Sequence, residues 1–148
     1  MTRRAFIVLL AVVAGCSDLN LEVGVYATLP EAVQAGAVER GWVPAGLPHG
    51  TTDIKVGHKL DSTAHWGTFT FPTAEADALR GLIDPTEIHE GLDCHPPGRV
   101  EWWPRLLRTP IDFEAAKTTG LRFYRSRDGA VAYAIQWAQG KAYYWREN

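Results

Sequence analysis

Cysteine is scarce in this chain: Cys16 and Cys94 are the only two among 148 residues. That excludes a disulfide-dense scaffold and a zinc module of four thiolates. Long apolar runs are scarce too. Residues 5–14 (AFIVLLAVVA) are apolar throughout, but as a helix they reach about 15 Å, half of the ~30 Å a membrane span needs. There is no excess of either charge: the formal net charge is −2 and the pI about 6.2, which gives no basis for nucleic-acid binding. Compact chemical motifs are missing as well. The chain contains no His-Glu-x-x-His, no Cys-x-x-Cys, no Gly-x-Ser-x-Gly elbow and no glycine pattern for a phosphate cradle, so neither a metal nor a cofactor is expected. No repeat or low-complexity tract breaks the sequence. What it does hold is aromatic residues, six Trp, five Tyr and five Phe, enough to build a sizeable core in one domain of this length.

The first residues are set apart from the rest. Arg3 and Arg4 precede the apolar run, which ends in Val13-Ala14-Gly15-Cys16. A basic start, a short apolar stretch and small residues before a cut site describe an export signal. The last four residues resemble the lipobox of bacterial lipoproteins. That resemblance implies a diacylglyceryl group on the Cys16 thiol, cleavage between Gly15 and Cys16, and acylation of the new amino group. The alternative is an ordinary secretory signal, or a buried first helix that happens to contain Cys16. On the lipoprotein reading residues 1–15 are a removed signal peptide, 16–20 a lipidated tether, and 21–148 the folded domain. The tether is short, so the domain is expected close to the membrane surface. Ser17 stands where many Gram-negative lipoproteins retained at the inner membrane have aspartate. This resemblance implies the periplasmic face of the outer membrane.

With residues 1–15 removed, residues 16–101 carry 5 basic and 13 acidic side chains, and residues 102–148 carry 8 and 4. The two parts are expected to neutralise each other by packing; a basic surface for acidic lipid or an acidic partner is the alternative. Cys94 has no intramolecular partner once Cys16 is lipidated, and is read as a small buried residue or a free thiol.

Hydrophobic patterning predicts an α+β domain. Leu21, Val23 and Val25 alternate as a first strand, and Thr28 caps a helix that carries Ala32, Ala35 and Val38 and ends at Gly41. Residues 51–59 read equally as strand or turn. Residues 64–71 read as a strand, with His65, Gly67, Phe69 and Phe71 on one face and Trp66, Thr68 and Thr70 on the other. Thr73 caps a second helix with Leu79, Leu82 and Ile83 on its apolar side, closed by Asp84-Pro85. Trp102, Trp103, Leu106 and Leu107 suit one or two helical turns. Three aromatic-rich runs at 121–125, 130–138 and 141–146, separated by Asp128-Gly129 and Gln139-Gly140, predict an antiparallel meander. The expected domain is a single antiparallel sheet ending in that meander, with two or three short helices on one face.

The segment Trp42-x-Pro44, Leu47-Pro48, Asp53-Ile54, His58-x-Leu60-Asp61-Ser62, Trp66-x-x-Phe69-x-Phe71 resembles a signature of small, uncharacterised bacterial lipoproteins and exported proteins. Tyr143-Tyr144-Trp145 is similar too, while Gly50-Thr51-Thr52 departs from the pattern. The resemblance implies compartment and fold; it carries no chemistry.

Two histidine groups stand out. His58 and His65 are placed to approach across a turn, and His89, Cys94 and His95 form a second group; surface or hydrogen-bonded histidines are the simpler expectation for both. Cys94-His95 are neighbours whose side chains point apart on an extended chain. Trp66, Trp137, Tyr143, Trp145, Tyr124 and Tyr133 are expected to share the sheet, as core or as an open binding face. The leading expectation is therefore an envelope lipoprotein without catalytic residues. It would hold membrane lipid through Cys16 and bind or scaffold an envelope protein or glycan. The rival is a small periplasmic hydrolase using His58, Asp61 and His65.

Overall fold

A computed structural model describes residues 20–147, so the expected cleavage and lipidation positions Gly15 and Cys16 lie outside the described residues. Six strands form one antiparallel sheet: β1 (Leu21–Thr28), β2 (Thr52–Lys59), β3 (His65–Thr70), β4 (Arg122–Arg125), β5 (Ala132–Gln136) and β6 (Lys141–Arg146). Their spatial order is β1-β2-β3-β6-β5-β4. The last three strands pair consecutively, as the Asp-Gly and Gln-Gly turns predict. Residues 51–59, ambiguous in sequence, are the strand that joins β1 to β3.

The helices are short. Helix α1 (Leu29–Gln34) begins where Thr28 Oγ1 accepts from Glu31 N–H and Glu31 Oε2 accepts from Ala27 N–H. The first bond satisfies a donor that the helix leaves open, and the second satisfies an amide at the end of β1. It ends at Ala35, not Gly41, because Gly36 turns left-handed at φ 76°; Val38 therefore lies in turns rather than helix. A single 3-10 turn (Thr73–Glu75) leads into α2 (Ala76–Arg80), and Thr73 does not cap it, since Pro72 holds the cap position without a side-chain bond. Arg105–Leu107 form another single turn. Helix α3 (Phe113–Thr118) is capped by Asp112 Oδ1, which accepts from Ala115 N–H at 2.9 Å.

The helices do not share one face. Alternate residues of the sheet feed two separate apolar clusters. Ile54, Val56, Phe69, Tyr133, Ile135 and Tyr144 lie under α1, residues 35–50 and α2. Trp66, Phe123, Ala134 and Trp145 lie under residues 92–107 and α3. The reason is legible in β5, which reads Ala-Tyr-Ala-Ile and is buried from Ala132 to Ile135 on both sides. A strand with no polar face must be covered twice. The aromatic surplus is divided: Trp66, Tyr133 and Trp145 are buried, as is Tyr144, while Tyr124, Trp137 and Tyr143 are half-buried against the core.

The two covers are tied to the sheet at specific atoms. Tyr144 is fully buried, its ring lies across Gly67, and its hydroxyl donates to the Trp42 carbonyl at 2.9 Å. On the other face, Trp145 Nε1 donates to the Asp93 carbonyl at 2.8 Å, and within that cover Trp103 Nε1 donates to Leu107 O at 3.1 Å.

Two substitutions test the first tie. Gly67→Ala places a methyl group inside the Tyr144 ring and should destabilise the domain by about 1–3 kcal/mol, the usual range for overpacking. Tyr144→Phe leaves the Trp42 carbonyl without its donor and should cost about 1–3 kcal/mol. Urea unfolding followed by tryptophan fluorescence reads both, and a midpoint unchanged for either variant contradicts this packing.

Candidate functional site

The antiparallel register places His58 directly opposite His65. Both histidines point to the α1 face and both are buried, at 3% and 5% exposure. The His58 ring stacks on Trp42 at 3.5 Å between centroids and 15° between planes, and Arg40 lies 5.0 Å from the Trp42 ring centre. His58 Nε2 stands 3.4 Å from Glu22 Oε2, but neither ring nitrogen has a hydrogen-bond partner among the described residues. His65 Nδ1 donates to the Thr63 carbonyl at 2.9 Å, which fixes its proton on that nitrogen because a carbonyl only accepts. Burial holds both imidazoles below their ordinary pKa, with Glu22 opposing the shift at His58.

Asp61 does not join them. It is exposed in the β2–β3 turn, accepts from Asn20 Nδ2 at 3.3 Å and lines a groove of about 340 Å³ on the Trp66 face. His65 and Trp66 are successive strand residues and point to opposite sides. The three groups of the hydrolase expectation are therefore divided between the two faces, with the two imidazoles in packed core.

The groove has its own centre, formed by residues far apart in sequence. Glu147 follows the last residue of β6 and accepts from Trp66 Nε1 at 3.1 Å, from the backbone N–H of His95, and from His95 Nδ1 at 3.1 Å. The His95 side chain is 65% exposed, so Nε2 is left to the solvent side of the groove. A second hollow of about 360 Å³ continues past His95 and Glu147 toward Arg125 and Arg146. An imidazole held by a carboxylate in a polar, open groove can bind an anion or a hydrogen-bonding group. His95 and Glu147 lie 52 positions apart, and no local spacing announces such a pair.

The other members of the second histidine group separate. His89 faces Glu87 at 3.8 Å. Cys94 is fully buried, and burial pushes its thiol well above the ordinary range. Among the described residues no three His, Cys, Asp or Glu side chains converge as a metal site. Tyr124 and Trp137 are partly exposed beside Arg80 around a hollow of about 300 Å³, and Arg80 covers the Trp137 ring at 4.6 Å.

The fold and these groups define a small, mixed antiparallel domain in which Trp42, from the segment between α1 and β2, packs on the histidine pair of β2 and β3. A bacterial family described as the YbbD head domain is found at residues 23–70. That match covers β1 through β3, including Trp42, His58 and His65, and excludes His95 and Glu147. No curated protein and no solved structure matches the chain.

The buried histidines generate a pH prediction. Their pKa values are lower in the folded than in the unfolded state, so the unfolded chain binds more protons below about pH 6.5. Stability should be at its full value above that pH and fall as pH drops toward the folded-state values. The lowered carboxyls of Asp84 and Asp128 act separately, below about pH 4. Thermal melts from pH 7.5 to 4.5 of wild type and His65→Gln should show a shallower acid loss in the variant; parallel curves contradict the assignment. Cys94 should react with a thiol reagent only after unfolding, and rapid labelling of the native protein contradicts its burial.

Proposed function

We propose that this protein is a lipid-anchored envelope module that binds another envelope component, a protein or a glycan, rather than a hydrolase. The observation that carries the reading is the placement of the Val13-Ala14-Gly15-Cys16 motif immediately before β1: four residues, 17–20, separate Cys16 from Leu21. Five residue steps reach at most about 18 Å. An anchor at Cys16 would hold the end of the sheet bearing Leu21, the β2–β3 turn and the Glu147 groove next to the membrane. Ser17 after the cysteine favours the periplasmic face of the outer membrane. No helix among the described residues is long and apolar enough to cross a membrane, so attachment on this reading depends on the lipid. Binding is favoured over hydrolysis at His58, Asp61 and His65 because two of those groups are core and the third faces the opposite side.

Each acyl chain contributes about 0.8 kcal/mol per buried methylene, and more than one chain holds a protein stably. Labelled fatty acid should enter the wild-type chain and not Cys16→Ser, which should stay as uncut precursor or leave the membrane fraction. Equal labelling of both, or none of the wild type, overturns the anchor.

A further inference from the structure

One hollow has no part in the readings above. It holds about 300 Å³ between Arg80, Ile83, Pro85, Tyr124 and Trp137. The end of α2, the segment after it, β4 and the β5–β6 turn each contribute to it. Trp137 follows Gln136, which pairs with Lys141 at the end of the sheet opposite Leu21 and Arg146. The hollow is at the lower end of the size range of ligand sites and has their usual mixture, apolar walls with a few placed polar groups. Trp, Tyr and Arg are also the residues that most often carry binding energy at protein interfaces.

The polar groups are positioned by the fold. The half-buried Trp137 ring meets Phe71 edge-on at 6.1 Å, and its Nε1 donates to the Tyr124 hydroxyl at 3.1 Å. That oxygen serves as acceptor, so the hydroxyl's own hydrogen is left for another acceptor. Arg80 lies over the Trp137 ring at 4.6 Å, which holds the guanidinium at the rim. Its carboxylate partner, Asp77, stands at 3.1 Å, with side chains 56% and 97% exposed. An exposed pair of this kind is weak, and the guanidinium has five donors to offer. Arg127 adds a second cation, donating from Nε to the Gly81 carbonyl at 2.7 Å. Asp84, next to Pro85, accepts from Thr86 N–H at 2.8 Å.

We infer that this hollow captures the free carboxyl terminus of a partner protein that ends in an apolar residue. The last side chain would enter between Ile83, Pro85 and the two aromatic rings, and the terminal carboxylate would accept from Arg80 and the Tyr124 hydroxyl. The chemistry selects the end of a chain. An apolar side chain and a carboxylate on one carbon occur together in a polypeptide only at its carboxyl terminus; an internal aspartate or glutamate offers the charge without the apolar group. The inference deepens the binding-module reading by naming the partner's chemistry, and rests on it. It does not rest on the anchor, which fatty-acid labelling tests separately. With the anchor in place the hollow would face away from the membrane.

The test uses the full chain in detergent solution and hexapeptides that carry a fluorophore at the amino end. One ends in leucine with a free carboxylate, one is the same peptide as its amide, and one ends in serine with a free carboxylate. The leucine acid should bind saturably, and the other two at least about tenfold more weakly, as a charge-assisted hydrogen bond and a buried leucine are each worth. Arg80→Gln, at an exposed position, should reduce the leucine acid to the level of the amide. Asp77→Asn removes the competing carboxylate and should strengthen binding about two- to fivefold. In the wild type the Trp137 indole N–H resonance should shift when the leucine acid is added, while that of Trp66, which donates to Glu147 in the other groove, stays in place. Absence of saturable binding, equal binding of acid and amide, unchanged binding in Arg80→Gln, or a shift at Trp66 in place of Trp137 overturns the inference. So does N-acetyl-leucine binding as tightly as the hexapeptide, since a free small acid would then be the ligand.

Discussion

The contact on which most of this domain depends is the packing of the Tyr144 ring against Gly67. Only a residue without a side chain leaves room for it on β3, and only a hydroxyl at the end of a long ring reaches the Trp42 carbonyl. That hydrogen bond fixes residues 35–50 to the sheet at the point where Trp42 stacks on His58. The same ring contacts Phe69, Tyr133 and His65 at centroid distances of 5.9 to 6.2 Å. One aromatic residue thus joins β3, β5, β6 and the cover. Its burial without charge is secure, since the low-dielectric surroundings push its phenol well above the ordinary pKa.

Both faces of the sheet are covered, and among the described residues the β1 edge and the groove around His95 and Glu147 are two features left open. Both include residues at the Leu21 end of the sheet: Lys59 pairs with Leu21 on the edge side and also lines the groove. An anchor at Cys16 would therefore bring both features near the membrane. The segment matched by the YbbD head domain contains the edge and the buried histidine pair, whereas the groove is built with residues beyond it. The edge and the groove are thus separable in sequence, although they meet in space at Lys59.

The histidines illustrate how burial changes a chemical reading. In sequence, His58, Asp61 and His65 occupy one short turn and resemble a set of acid–base groups. In the fold, strand alternation and the Trp42 stack place the imidazoles in the core, where neutral forms are favoured, and leave Asp61 on the far side with Asn20. His95 is paired not with the nearby Asp93 but with Glu147, a carboxylate 52 positions away near the end of the chain.

Much of the fold was legible in local pattern. The alternation at Leu21, Val23 and Val25, the aromatic strand at His65–Thr70, and the glycine turns before β5 and β6 each follow from short-range conformational preference. The number of covered faces was less legible, because Ala132 and Ala134 read as neutral spacers until a second layer packs on them. The extent of α1 depended on one glycine taking a left-handed conformation, and α3 lay hidden in a stretch broken by proline, glycine and threonine. By itself the sequence determined five of the six strands, all but β2, together with the final two turns and the export-like start. Which histidines are buried, which carboxylate meets His95 and which edge stays open were decided only by tertiary structure, because each depends on residues many positions apart being brought into register by the sheet.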